Sequence, residues 1–73
     1  MAPADNALIA RDRLRRIRAA LDDLPAPVRR TFRLHKFEGL SHSEVAAELG
    51  VSRSLVEKHM MRALKHLIAR VGR

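Results

Sequence analysis

A basic stretch in the last third of the chain carries side chains whose types and spacing suit hydrogen bonding to DNA base edges. Lys58 and Arg62 are one helical turn apart, and their donors can reach guanine O6 and N7 or a backbone phosphate. Glu57 can accept a hydrogen bond from cytosine N4, while Ser54 and Met61 can contact thymine methyl groups or sugars. Together these residues form the predicted base-contacting set.

The role of Glu57 is open between two interpretations. In the first, its carboxylate contacts a base; in the second, it is a solvated surface acid paired one turn away with Arg53. Backbone contacts are expected where helices begin, because free amide groups and the helix dipole favour a phosphate there. The predicted phosphate-contacting residues, including one cation further along the chain, are Ser41, His42, Ser52, Arg53 and Lys65.

The charge balance of the chain indicates a polyanionic partner. Its 73 residues include 15 Lys and Arg against 8 Asp and Glu, for a formal net charge of +7. A small domain with this excess is expected to bind nucleic acid or an acidic surface, and a merely soluble basic domain is the alternative. The aromatic residues are two Phe, so the chain lacks the stacking platform of single-strand binders. Double-stranded DNA is therefore the favoured partner.

The sequence offers no arrangement typical of an enzyme or a metal site. No nucleophile, base and orienting group occur in a recognisable pattern, and no glycine-rich phosphate loop is present. There is no Cys, and the four His lack carboxylates at ligand spacing. We therefore expect no enzymatic activity, no metal and no cofactor. No apolar run approaches the length of a membrane span and no signal-peptide core is present, so a cytoplasmic location is expected.

Apolar residues at steps of three and four predict a first helix that begins at Ala7. Asp5 or Asn6 is its expected N-cap, after a disordered lead-in over residues 1–6. Five arginines lie on its other faces, where a solvated basic surface is favoured over a contact with an acidic protein. The predicted buried stripe consists of Ala7, Ala10, Leu14, Ile17, Leu21 and Leu24.

A second helix is predicted to begin at Pro27, because Pro25 ends the first one and a proline suits the first helical position. Gly39 is the expected C-terminal cap, with a positive φ. The face of this helix toward the core is predicted to carry Val28, Thr31, Phe32 and His35, with Leu34 and Phe37 beside them.

A helix-turn-helix is indicated by the break between the last two predicted helices. Ser41 and Glu44 form the pattern of a capping box, which starts a third helix near residue 42. Gly50 ends that helix with a positive φ, and Ser52 is the N-cap of a last helix that continues to Val71. Two helices joined by such a short turn can place the second in a major groove while the first crosses the backbone.

The predicted fold is all-α: a compact four-helix domain over residues 7–71, with the helix-turn-helix unit at about 42–62 and a long C-terminal recognition helix. A plain helical hairpin explains the glycine alone, but not its combination with small, apolar and basic residues at helix-turn-helix spacing. The buried stripe of the last helix is predicted to be Val56, Met60, Ala63, Leu64, Leu67, Ile68 and Val71.

The chain resembles region four of bacterial sigma factors of the extracytoplasmic-function group. The resemblance covers residues 21–68 and rests on the motifs LP, F-x-L, EGLS, EVA-x-ELGVS and V-x-x-x-M-x-RAL. The VEKH and RAL segments are also similar to the iron-starvation, ferric-siderophore subgroup. In this family the base-contacting positions fall on Glu57, Lys58, Met61 and Arg62.

The resemblance implies that the domain recognises the −35 promoter element and docks on the β flap of RNA polymerase, and that an anti-sigma factor masks it. The family's other DNA-binding domain, which opens the −10 element, has no counterpart here, so the chain is expected to be an excised or truncated C-terminal domain, and a monomer. One alternative is a protein-interaction module for the β flap or an anti-sigma factor. Another is a different helix-turn-helix regulator, although such regulators usually dimerise through a helix after the recognition helix.

Overall fold

The structure, a computed structural model, describes residues 3–71, with side chains described from Ala10 onward. Between residues 3 and 71 it is built from helices and contains no strand. This confirms the all-α class and the predicted order of four helical segments. The helices are α1 (Pro3–Asp22), α2 (Ala26–Phe32) with a π-helical turn after it (Arg33–Phe37), α3 (His42–Leu49) and α4 (Arg53–Val71).

Helix α1 begins earlier than the sequence predicted. It starts at Pro3, so Asp5 and Asn6 lie inside the helix and not at its N-cap. A proline is tolerated in the first turn because the amide it lacks would have no partner there, which explains the earlier start. The predicted lead-in over residues 1–6 is therefore partly helical, and its first two residues lie outside the described part of the chain.

The connection between α1 and α2 is set by two prolines. Pro25 is the N-cap of α2, with φ −56° and ψ 149°, and Pro27 occupies an early helical position that needs no amide donor. The helix thus starts at Ala26, one residue before the predicted start. Of the predicted face, Val28, Thr31 and Phe32 are buried, His35 and Leu34 are half-buried, and Phe37 is exposed.

The end of α2 widens into a π-helical turn that the sequence did not predict. The Glu38 amide donates to the Arg33 carbonyl at 3.1 Å, five residues back, and the Leu40 amide donates to the Leu34 carbonyl at 3.1 Å. Gly39 between them has φ 75°, which confirms its predicted role as the C-terminal cap. This tight stop places Leu40 and Ser41 directly at the start of α3.

The hydrophobic core lies where the other helices pack against α4. Its fully buried side chains come from every helix, so no helix can be removed without opening the core. Among the described side chains Thr31 is the one buried polar residue, and its hydroxyl is satisfied by donating to the Pro27 carbonyl at 2.8 Å. The largest fully buried side chains of the core are Leu21, Val28, Thr31, Val45 and Val56.

Two of the predicted apolar stripes are only partly buried. Leu14 of α1 is 41% exposed, and Leu64 and Ile68 of α4 are 40% and 66% exposed. The reason is length: α1 and α4 are each about 30 Å long, whereas α2 and α3 are too short to cover both. The molecule is accordingly elongated, with extents of 45 × 22 × 15 Å. None of the helices within residues 3–71 is long and apolar enough to cross a membrane.

Candidate nucleic-acid interface

Helix α3 begins with the predicted capping box. The Ser41 amide donates to the Glu44 carboxylate at 2.8 Å, and the Glu44 amide donates to the Ser41 hydroxyl at 3.1 Å. The hydrogen bonds from the Ser41 backbone and side chain lower the pKa of Glu44 below its ordinary value of 4.5. Ser41, a predicted phosphate contact, thus already has its amide engaged, and a carboxylate stands beside it.

The turn between α3 and α4 depends on a left-handed residue. Gly50 has φ 67° and ψ 36°, and the amide of the next residue, Val51, donates to the Ala46 carbonyl at 3.0 Å. Ala46 is 8% exposed whereas Ala47 is exposed, so Ala46 is the small residue required where the two helices approach. A Cβ added to Gly50 would meet nothing within 4 Å, so the backbone conformation alone favours glycine there.

Helix α4 begins with the predicted Ser52 cap and is oriented by its buried side. The Ser52 hydroxyl accepts from the Leu55 amide at 3.1 Å. Val56, Met60 and Ala63 are 0%, 5% and 0% exposed, so one side of the helix faces the core. Their opposite side must then face outward, because side chains at these spacings share a face.

The predicted base-contacting residues all lie on exposed surface of α4. Their helical spacing places Ser54, Lys58 and Met61 opposite the buried side, with Arg62 and Glu57 flanking them. Met61 is 64% exposed, so its apolar side chain is accessible for contact. The structure thus brings basic donors, an acid and an apolar contact together on one convex helix surface.

Glu57 makes the local ion pair that the second interpretation of this residue requires. Its carboxylate lies 3.6 Å from the Arg53 guanidinium, and the two side chains are 54% and 66% exposed. An exposed i,i+4 pair of this kind is worth only about 0.3–0.5 kcal/mol, so either partner can release the other when DNA approaches. The pair favours a surface role for Glu57 and leaves its carboxylate accessible.

His59 connects the recognition helix to α2. The Thr31 hydroxyl donates to the Pro27 carbonyl, so the Nδ1–H of His59 must donate to the Thr31 oxygen, at 3.3 Å. His59 is half-buried on α4, directly after Lys58. The contact restrains the rotation of α4 about its axis, and so the direction of the exposed side chains. No pattern in the sequence indicated this contact.

Asp23 forms a second connection that the sequence did not predict. Its carboxylate accepts from Arg70 at 2.9 Å and lies 3.3 Å from His66 Nε2. The cluster joins the link between α1 and α2 to the C-terminal half of α4. His66 and Arg70 lie 43 and 47 positions after Asp23, and no local pattern in the sequence relates them to it.

His42, a predicted phosphate contact, is half-buried at the first position of α3. Its ring lies against that of His35, with centroids 4.4 Å apart and planes tilted by 47°. His35 donates from Nδ1 to the Leu40 carbonyl at 2.7 Å, which fixes its ring. Ser52 and Lys65, two further predicted phosphate contacts, are exposed. Within the part of the chain that the structure describes, no group of acidic or His side chains is arranged to hold a metal ion.

Comparison with known proteins identifies the class to which this fold and surface belong. Residues 14–67 match the family described as Sigma-70, region 4. The chain therefore belongs to this family, whose members are DNA-binding regulators of transcription initiation.

A curated relative supports the same assignment. Over 48 residues the chain is 42% identical to the ferric citrate uptake sigma factor FecI of Escherichia coli (strain K12). The match covers 66% of this chain and 28% of the relative, so the chain spans well under a third of that protein's length. No solved structure matches the chain. The family match and the relative confirm the resemblance to an extracytoplasmic-function sigma factor drawn from the sequence.

Proposed function

We propose that this chain binds the −35 element of promoter DNA, as part of a sigma factor that directs RNA polymerase to initiate transcription. The observation that carries the proposal is the exposed side of α4, where Lys58 and Arg62 project from a helix whose other side is locked in the core. In a helix-turn-helix, the second helix enters the major groove with its N-terminal half against the base edges. Such a factor acts where RNA polymerase works, in the bacterial cytoplasm.

The proposed base contacts divide by chemistry. Lys58 and Arg62 donate to guanine O6 and N7, and Glu57 accepts from cytosine N4 when its pair with Arg53 opens. Ser54 and Met61 contact thymine methyl groups or sugars. This arrangement distinguishes base pairs in the major groove, where each pair presents its own donor and acceptor pattern.

The proposed phosphate contacts hold α4 in register. Ser52 and Arg53 lie at the start of α4, where the amide groups and the helix dipole attract a phosphate, and Lys65 adds a cation two turns beyond Lys58. Ser41 and His42 at the start of α3 are proposed to contact a second phosphate. The Glu44 carboxylate weakens that contact, so we rank it below the one at α4.

The affinity of the chain for DNA should be weak and strongly salt-dependent, because one short site makes few phosphate contacts. Attachment to RNA polymerase and a second promoter contact would raise the effective concentration of the domain. The experiment is selection of bound duplexes from a random pool at low salt, which should enrich one short motif. If no motif is enriched, while a β-flap peptide or an anti-sigma factor binds tightly, DNA recognition by this chain is rejected.

A protein-docking role is the second candidate, and a specific observation favours it. Leu64 and Ile68 of α4 and Leu14 of α1 remain exposed beyond the core. Exposed apolar side chains on neighbouring turns are typical of a binding site for another protein. The β flap of RNA polymerase and an anti-sigma factor are the proposed partners, and this role is compatible with DNA binding. Substitution of Leu64 and Ile68 by Ser should weaken the flap contact and leave the selected DNA motif unchanged.

A further inference from the structure

Helix α1 carries a row of three arginines on one side. Arg11, Arg15 and Arg18 follow one another at steps of four and three residues, so they lie one above another, and all three are exposed. We call them the arginine row. The row lies about 90° round the helix from buried Leu21 and about 170° from buried Ala20, and it is about 10 Å long.

The arginine row is free of internal pairing. Among the ion pairs of the described residues, α1 contributes only that between Arg16 and Asp12, at 3.0 Å, and none engages the row. Asp22 is the one acid on the same side, one turn beyond Arg18. The guanidinium groups are therefore available to an external anion. A planar guanidinium can bind a carboxylate with two parallel hydrogen bonds.

The row continues into a groove beside the π-helical turn. Arg18 lines this groove of ≈ 350 Å³ together with Arg33, Phe37 and Glu38. Phe37 is 52% exposed, yet its ring is held edge-to-face against the buried Phe32, with centroids 5.8 Å apart and planes at 87°. A fixed, exposed aromatic ring offers contact area at little cost in conformational entropy.

The arginine row faces away from the DNA-binding side of α4. Helix α1 packs chiefly on α4, and the buried side of α4 carries Val56, Met60 and Ala63. Lys58 and Arg62 lie on the other side of α4, and the row lies on the far side of α1. A duplex bound along the exposed side of α4 would therefore lie away from the row, so the same duplex would not contact these arginines.

We propose that the arginine row and the adjoining groove bind an acidic protein segment, on the side of the domain opposite the DNA. The carboxylates of the segment pair with the row, and an apolar side chain enters the groove beside Phe37. Glu38 disfavours a carboxylate in the groove, which is why an apolar residue is expected at that point. DNA and the acidic segment bind at the same time, because their surfaces do not overlap.

The test uses the chain and a blocked, fluorescently labelled 15-residue helical peptide. The peptide carries three Glu at steps of four and three to face the row, and one Leu after them to enter the groove. A control peptide has Gln at the three Glu positions. A variant with R11Q, R15Q and R18Q should bind the acidic peptide about tenfold more weakly and DNA within about twofold at 0.15 M salt, where distant charges are screened. A matched variant with K58Q, R62Q and K65Q removes the same charge and should show the opposite losses.

Chemical shift changes on adding the acidic peptide should map to residues 11–18, Arg33 and the ring of Phe37. The Gln peptide should bind about tenfold more weakly than the acidic one. Three results would overturn the proposal: equal loss of peptide binding in both triple variants, which indicates net charge alone; loss of DNA binding in the row variant, which indicates a nucleic-acid surface; or no shift changes at about 1 mM peptide, weaker than any specific contact.

Discussion

At the scale of single residues, the direction of each proposed DNA contact is determined by side chains that contact no DNA. Val56 and Met60 bury one side of α4, and the hydrogen bond from His59 to Thr31 restrains its rotation. Lys58 and Arg62 then project outward without any partner of their own among the described ion pairs. The donors are thus held by a rigid helix and do not have to be ordered by the loop before it.

Lys58→Ala and Arg62→Ala should each weaken binding to the selected motif by about 1–3 kcal/mol and relax base preference at one position, because a paired donor to guanine is lost. Lys65→Ala is the matched control. As a phosphate contact, it should weaken all duplexes alike and lower the salt slope by about 1. Binding isotherms over a salt series measure both quantities. Wild-type affinity and preference in both Ala variants would show that α4 lies in the groove by another side.

Glu57→Gln distinguishes the two roles of this residue. If the carboxylate accepts from cytosine N4, the variant should lose about fivefold in preference for C·G at one position. Duplexes that differ only at that position give the measurement, and Glu48→Gln, an exposed acid on α3, is the control for the change in charge. Tighter binding to every duplex with no change of preference would assign Glu57 to its surface pair with Arg53.

At the scale of the elements, the angle between α3 and α4 depends on the turn that joins them, residues 50–52. Gly50 in the left-handed region, the hydrogen bond from Val51 to Ala46 and the Ser52 cap end one helix and start the next. Gly39 adopts the same conformation where the π-helical turn after α2 ends. The two glycines therefore adopt the same backbone conformation. Only Gly50 lies between α3 and α4, the two helices of the proposed DNA-binding unit.

Gly50→Ala should destabilise the domain by about 1 kcal/mol, because an L-residue resists positive φ, while the open space around the new Cβ adds no clash. Gly39→Ala, at φ 75° and equally open, should cost a similar amount. Urea unfolding measures both. Under conditions where both variants are folded, only the Gly50 variant is expected to bind DNA more weakly. An equal loss of DNA affinity in the Gly39 variant would mean that the turn at Gly50 does not set the angle between α3 and α4.

The capping box should make the stability of α3 pH-dependent. The folded pKa of Glu44 lies below its ordinary value of 4.5, so the ionised carboxylate is favoured by folding. Its contribution is complete above about pH 4.5 and is lost as the pH falls through the lower folded pKa. Glu44→Gln should therefore lower the thermal midpoint at pH 7 relative to Glu48→Gln, and the difference should shrink at pH 3. A constant difference across this range would contradict the assignment.

At the scale of the whole molecule, polar contacts between residues far apart in sequence hold parts of α4 that the small core does not cover. Asp23 accepts from Arg70 and lies beside His66, which holds the C-terminal half of α4 where its apolar residues are no longer covered. The proposed DNA contacts and the arginine row lie on different helices, α4 and α1. The elongated shape of 45 × 22 × 15 Å allows the two proposed surfaces to be separate.

Asp23→Asn should destabilise the domain by about 0.5–1 kcal/mol, since it weakens contacts to two partners that are themselves partly exposed. Asp12→Asn is the matched control, because Asp12 pairs only within α1, with Arg16. It makes the same charge change and should cost no more than about 0.3–0.5 kcal/mol, the value of an exposed i,i+4 pair. Urea unfolding of both variants at pH 7 is the measurement, and equal effects would exclude a tertiary role for Asp23.

The sequence alone predicted the elements whose causes are local. The Ser41 and Glu44 capping box, the positive φ of Gly39 and Gly50, and the Ser52 cap were predicted from residue types within a few positions of one another. The early start of α1 at Pro3 and the π-helical turn after Phe32 were not. In both cases several conformations are locally acceptable, so residue type alone does not choose between them.

What the sequence by itself determined is therefore the set of helices, their caps and the exposed side of α4, because each depends on periodicity and short-range hydrogen bonds. The tertiary structure decided how far each apolar stripe is covered, and left Leu64 and Ile68 exposed where α2 and α3 end. It also decided that His59 meets Thr31 and that Asp23 meets Arg70. Such contacts depend on how helices pack in space, and no spacing along the chain encodes them.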